Sequence, residues 1–304
     1  MTEKKRRFTR KEFIKTSSMG VIATGVIAGT PVKLLSDSKE LVESTLGQTG
    51  IKMTKLGVGA PRIQEASVLR YALDGGITFI DTGRRYANGK NEEMVGEVIK
   101  GRRKEFVIQS KINMPEIIDK KLNSESISAK IREIFNKSIE ESLKALYTDY
   151  IDVMLFHDGS KNKLLYHETV LESFAKAKQE GKILATGFSV HTSQEDHILR
   201  HNRDPFYDVI MISFNAHGGY KRNSREYNWD QELMIRELTR AADSGTGIIA
   251  MKTCLGGPYA CEGDTEASFP GAVKWVLEQP YVHAAAVAMA NFQQLDEHLA
   301  VHKV

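Results

Sequence analysis

The stretch YIDVMLFHDGSKNKLLYHETVLESFAKAKQEGKILATGFS, from Tyr150 to Ser189, decides the fold. It opens on an apolar run, 150–156, passes through an amphipathic segment at 168–180, and returns to a second apolar run at 183–189. Glu180-Gly181-Lys182 separates helix from strand, with glycine supplying the left-handed backbone that ends a helix. Strand, helix and second strand joined by so short a turn form the unit of a parallel sheet.

The same unit recurs in both directions. Strands are predicted at 55–59, 77–81, 105–110, 150–156, 183–189, 208–214, 247–251 and 283–288. Helices are predicted in every gap, at 64–74, 92–100, 127–146, 168–180, 193–201, 229–243, 269–279 and 291–302. Asp74-Gly75-Gly76 repeats the cap-then-strand punctuation. Eight units over about 250 residues predict an α/β chain folded as a single (β/α)8 TIM barrel, whose functional residues gather at the C-terminal strand ends. A doubly wound dinucleotide-binding sheet would use Gly57-Val58-Gly59 as its phosphate turn. Its G-x-G-x-x-G fingerprint fails at Arg62, where glycine is required.

The 304 residues carry 42 Lys+Arg against 39 Asp+Glu, and the surplus is confined to one end. Residues 1–15, MTEKKRRFTRKEFIK, hold seven basic and two acidic groups, leaving 35 basic against 37 acidic in the rest. The body of the chain therefore offers no electropositive surface for nucleic acid. Two cysteines, Cys254 and Cys261, are too few for a disulfide framework or a metal cage, and no metal site is expected. A basic stretch followed by the uncharged segment 16–32, TSSMGVIATGVIAGTPV, reads as a secretory signal. The segment is too short and too weakly apolar for a comfortable transmembrane helix. The expected organisation is a signal segment at 1–35, a linker at 36–50 and the barrel at 51–304.

Four ionisable residues fall at or just after consecutive predicted strands: Asp81 and Tyr86, Lys111, and His157. Taken together they form a proton-transfer device. A phenol titrates near 10 and needs tuning to protonate an oxygen at neutral pH. Lys111 is expected to lower the Tyr86 pKa, Asp81 to hold the ammonium, and His157 to orient a substrate oxygen.

Phe79-Ile80-Asp81-Thr82-Gly83-Arg84-Arg85-Tyr86, then Asn91-Glu92-Glu93-Met94-Val95-Gly96, Val107-Ile108-Gln109-Ser110-Lys111 and Asp149-Tyr150-Ile151-Asp152 running to His157, resemble motifs of the aldo-keto reductase family. Gly181-Lys182-Ile183 to Ser189 continues the match, which extends from about Met53 to His302. The resemblance implies a hydride transfer between the nicotinamide of NAD(P)H and a small-molecule carbonyl, with Tyr86 as general acid or base and NADP(H) preferred over NAD(H). On the cofactor side it implies Ser189, Lys252 as a point charge, Gly256 and Gly257 as exposed backbone N–H groups, and Asn291, Gln294 and Glu297 near the adenosine.

The family pattern is altered at several cofactor positions. Val190 and His191 follow Ser189 where an asparagine is usual, and Met211 stands where a glutamine is expected. These changes leave open a nucleotide-binding homologue that senses or scaffolds without turnover. Substrate contacts are expected from loops at 216–228, with Tyr220, Lys221 and Arg222, and at 258–270, with Tyr259 and Phe269. Thr9-Arg10-Lys11-Glu12-Phe13-Ile14-Lys15 resembles the twin-arginine (Tat) translocation signal, with Arg-Lys at the core pair. It implies the Tat translocon as partner and a periplasmic or extracytoplasmic location, with the signal cleaved or retained as a membrane tether.

Overall fold

Parallel strands that close into a ring must bury one face against the enclosed axis and the other against a jacket of helices. The computed structural model describes residues 40–115, 124–160 and 162–303. The signal segment expected at 1–35 lies outside the described residues. The order is β1 (Glu43–Thr45), β2 (Lys52–Thr54), β3 (Leu56–Gly59), α1 (Ala66–Asp74), β4 (Phe79–Asp81), α2 (Lys90–Ile99), β5 (Val107–Ile112), α3 (Ser124–Ala145), β6 (Ile151–Phe156) and α4 (Glu168–Gln179). It continues with β7 (Ile183–Val190), α5 (Gln194–Arg203), β8 (Val209–Ser213), β9 (Gly219–Arg222), β10 (Arg225–Asn228), α6 (Gln231–Asp243), β11 (Gly247–Met251), α7 (Phe269–Glu278), β12 (Ala284–Val287) and α8 (Phe292–His302).

Eight parallel strands close in the order β3-β4-β5-β6-β7-β8-β11-β12, as the eightfold repeat predicts. Alternation along each strand sorts the core into two shells. Val107 on β5, Val153 and Leu155 on β6, and Val209 and Met211 on β8 belong to the inner cluster. Their neighbours Ile108, Ile112, Met154, Phe156 and Ile210 belong to the outer cluster beneath the helices. Gly76 at φ +103° and Gly181 at φ +70° provide the left-handed turns after α1 and α4. Gly75 itself stays right-handed, at φ −73°.

Two hairpins depart from the expected pattern. The linker expected at 36–50 contains a strand: β1 pairs antiparallel with β2, Glu43 opposite Thr54. The Gln48 N–H donates to Gly245 O at 2.8 Å and Ser44 Oγ donates to His283 O at 2.6 Å. Those acceptors precede β11 and β12, so the hairpin closes the amino-terminal end of the barrel, with Leu46 and Met53 entering the inner cluster. The second hairpin, β9–β10, lies inside the loop expected at 216–228. No described helix is long and apolar enough to cross a membrane.

Candidate active site

The inward alternation that places Val107 in the core also carries Gln109 and Lys111 inward at the carboxyl end of β5. Phe79 and Asp81 on β4, and Leu155 and then His157 after β6, follow the same rule. The four residues expected to act together therefore converge. The Lys111 ammonium pairs with Asp81 Oδ1 and also donates to Thr82 O at 2.6 Å. Lys111 Nζ lies 4.8 Å from the centre of the Tyr86 ring. The Tyr86 and His157 rings meet edge to face, centroids 5.4 Å apart.

Tyr86 stands on a turn that the backbone would not adopt unaided. Ala87 at φ 49°, Asn88 at φ 53° and Gly89 at φ 89° are consecutive left-handed residues, a conformation that persists only where its surroundings enforce it. Arg84 supplies the enforcement by pairing with the fully buried Glu92 at 2.5 Å, and Glu92 also accepts the Ser110 hydroxyl at 2.5 Å. The φ of +89° favours glycine at position 89, and a Cβ there would push on the Arg84 guanidinium that pairs with Glu92. Thr82 Oγ1 donates to Asn91 Oδ1 at 2.7 Å, and Asn91 donates to Ala60 O at 2.9 Å.

Electrostatics revise one expectation. Burial raises the Tyr86 phenol above its ordinary value, and the opposing Lys111 charge does not overcome it. The expected net lowering by the ammonium is therefore corrected: in the closed site desolvation of the phenolate dominates. Burial also opposes the charge on Lys111, but Asp81 and Tyr86 hold that ammonium above the usual lysine range. His157 is pushed down to about 3, by burial first and then by Lys111, His191 and Arg85, so its imidazole is neutral.

Gln109 is a site residue that motif reading passed over. Its Nε2 donates to Asp81 Oδ1 at 2.7 Å and contacts Met211 Sδ at 3.3 Å. The signal was its position, two residues before Lys111 on the same strand face. His191 was noted as a departure, not as a site residue. It lines the same cavity as His157, and burial followed by Lys252 pushes its pKa down to about 4. The Ser160 hydroxyl accepts the His191 N–H at 2.7 Å and donates to Asp158 at 3.0 Å. Asp152 of the D-Y-I-D motif is structural: it accepts from Arg103 at 2.6 Å and from the Ile108 N–H at 2.8 Å.

The residues expected on the cofactor side divide. Gly256, Gly257, Gln294 and Glu297 line one cavity of about 710 Å³. A Cβ on Gly256 would lie 2.7 Å from Asn215 Oδ1, so this residue packs closely on Asn215, and Gly257 has φ +114°. The exposed N–H expected of Gly257 is corrected: it donates to Cys254 O at 3.2 Å within the turn. Asn291, Ser189 and Lys252 are not among its lining residues. Asn291 caps α8, accepting the Gln294 N–H at 2.9 Å. The Ser189 hydroxyl accepts the Asp158 N–H at 3.0 Å, tying β7 to the end of β6. Lys252, left-handed at φ 60°, has its Nζ 5.5 Å from the centre of the Tyr220 ring. Burial and then the charge of Arg222 lower its pKa to about 8. A second cavity of about 680 Å³ contains His157, His191, Arg85 and Asn113, and Tyr220 and Glu226 border both spaces.

Comparison with known proteins agrees with the barrel fold. The sequence model of the Aldo/keto reductase family matches residues 50–270. Aldo-keto reductase YhdN of Bacillus subtilis is 33% identical over 185 residues, 55% of this chain and 54% of that protein. A Schizosaccharomyces pombe relative, aldo-keto reductase yakc, whose name specifies NADP(+), is 34% identical over 136 residues, 42% of this chain and 38% of that protein. The chain spans about half the length of the first curated relatives it matches. A Bacillus halodurans aldo-keto reductase in its holo form shares the fold, with a TM-score of 0.67 at 19% identity, covering 86% of this chain and 91% of that one.

The depressed histidines set an acid limit on stability. His157 and His191 stay neutral in the folded chain down to about 3 and about 4, whereas unfolded histidine takes up a proton near 6.5. The unfolded state therefore binds more protons below that value, and stability falls as pH drops from 6.5 toward 4. Each contributes a loss of about 2 kcal/mol between pH 7 and pH 5. Urea midpoints at the two pH values should show that loss, reduced in His157→Asn/His191→Asn; an equal pH dependence in both proteins would contradict it.

Proposed function

The chain belongs to the aldo/keto reductase family, and from that premise we propose that it is an NAD(P)H-dependent oxidoreductase acting on the carbonyl of a small molecule, with Tyr86 as its acid–base group. One observation carries the reading: a phenol set above a buried ammonium–carboxylate pair, with a neutral imidazole at its edge. When bound, the nicotinamide supplies or accepts the hydride. The chain's own work is positioning and proton management.

In the reducing direction Tyr86 gives its proton to the carbonyl oxygen as that oxygen gains charge. A phenol held above its ordinary pKa is fully protonated at neutral pH and ready to donate. Lys111 then stabilises the phenolate left behind, because an ammonium near a developing anion is worth most in a dry site. Asp81, Gln109 and Thr82 keep that ammonium in place. Neutral His157 orients the carbonyl oxygen without itself being the proton source.

The cavity beside Gly256 and Gly257 has room for a dinucleotide, and the left-handed Gly257 brings backbone without a side chain to its wall. Gln294 and Glu297 line its other side. NADP(H) in preference to NAD(H) is supported by the name of the S. pombe relative. Export through the Tat translocon is a separate proposal resting on residues 9–32. The full chain expressed in bacteria with and without a Tat translocon should reach the periplasm only in the former; equal cytoplasmic retention would reject export.

Tyr86→Phe removes the proton donor and leaves the ring. Carbonyl reduction with NADPH should fall by roughly 10²- to 10⁴-fold, while nucleotide binding measured by fluorescence titration stays near the wild-type value. Reduction retained at the wild-type rate would exclude Tyr86 as the acid.

A further inference from the structure

The β9–β10 hairpin carries a charge pattern that its own stability does not call for. Its strands pair with Tyr220 opposite Tyr227, Lys221 opposite Glu226 and Arg222 opposite Arg225. The tyrosine rings stack at 4.8 Å, and Lys221 and Glu226 form an ion pair of 2.6 Å. The third pair sets two guanidiniums directly across from each other, where like charges destabilise a sheet. Asn223 at φ 48° and Ser224 at φ 61° close the hairpin in the primed geometry that matches strand twist, which fixes the two arginines in that register. Among the described residues neither arginine lies within ion-pair distance of a carboxylate.

Strand alternation turns the hairpin into a partition. Lys221 borders the cavity of Gly256 and Gly257, whereas Arg222, Arg225 and Tyr227 border the cavity of His157 and His191. Arg85, next to Tyr86 in the chain, lines this second cavity and is likewise without a carboxylate partner among the described residues. Of the two acids that line it, Glu226 is held by Lys221, while Asp158 accepts the Ser160 hydroxyl and keeps its charge. The cavity that His157 lines thus has three guanidiniums against Asp158 and a Glu226 already paired with Lys221.

We propose that the substrate carries a carboxylate or phosphate in addition to its carbonyl, and that Arg222 and Arg225 grip that anion. The inference rests on the oxidoreductase reading and narrows its substrate class. Guanidinium forks match the oxygens of either anion, and a bound anion would relieve the like-charge pair on the hairpin. Arg222 and Arg225 line the cavity of His157 and not that of Gly256 and Gly257, which sets this anion apart from a nucleotide held beside the glycines.

The test compares anionic aldehydes with neutral counterparts: succinic semialdehyde with butanal, para-carboxybenzaldehyde with benzaldehyde, and glyceraldehyde 3-phosphate with glyceraldehyde. Wild type should favour the anionic member of at least one pair by about tenfold or more in kcat/KM, chiefly through KM, and less so at high ionic strength. Which pair responds separates carboxylate from phosphate. Arg222→Gln/Arg225→Gln should abolish the preference. Calorimetric titration of the same aldehydes into the NADP(+)-saturated protein reads binding apart from turnover and should weaken for the anionic members alone. Equal kcat/KM within every pair, a preference that survives in the variant, or weaker NADPH binding with both members slowed alike would overturn the proposal. Should no aldehyde be reduced, the oxidoreductase reading fails, and equal affinities for anionic and neutral members would overturn this inference independently.

Discussion

An ammonium buried at the mouth of a barrel must be paired, and the pairing of Lys111 with Asp81 is the constraint on which the rest of the site depends. Removing one partner of such a pair typically costs 3–5 kcal/mol, as an uncompensated charge is left in a poorly solvated place. Gln109 and the Thr82 carbonyl complete the shell around the pair. Replacing the pair with apolar residues would often be neutral or better for stability. Its neighbours depend on it: Tyr86 sits over the ammonium on a strained turn, and His157 is neutral partly because the ammonium is near.

At Tyr86 two effects compete. Proximity to an ammonium favours the phenolate and burial disfavours it, and burial prevails at rest. This suits a proton donor better than a preformed phenolate would. In the proposed reaction the ammonium would act as the proton leaves, which is where preorganised charge contributes most to a rate. The turn that presents the phenol is in turn held by Arg84, Glu92 and Ser110, a network below the reacting groups.

The barrel was legible because each strand–helix unit repeats the same pattern, and the limits read from it differ from those observed by only a few residues. The tetrad was legible because strand ends of a closed barrel converge. Less visible was whatever depends on three-dimensional enclosure. β1 and β2, EST and KMT, are too short and polar to register as strands, and they pair because Leu46 and Met53 find the open end of the barrel. β9 and β10, GYKR and REYN, read as a charged loop with no glycine at the turn. The direction of the Tyr86 shift depends on burial depth, which no motif encodes. Gln109, by contrast, is legible from alternation beside Lys111, although as an uncharged amide it adds no titratable group to the motif.

The hairpin gives the site two sides: backbone glycines on one, guanidiniums and imidazoles on the other, with Tyr220 and Glu226 bordering both. The most direct test is the titration of the Tyr86 phenol itself, followed by NMR of ring-labelled tyrosine in wild type and Lys111→Met, with Tyr86→Phe assigning the signal. If the Lys111 charge is what opposes burial at Tyr86, the phenol pKa rises further in Lys111→Met. A pKa that stays put or falls would contradict the account.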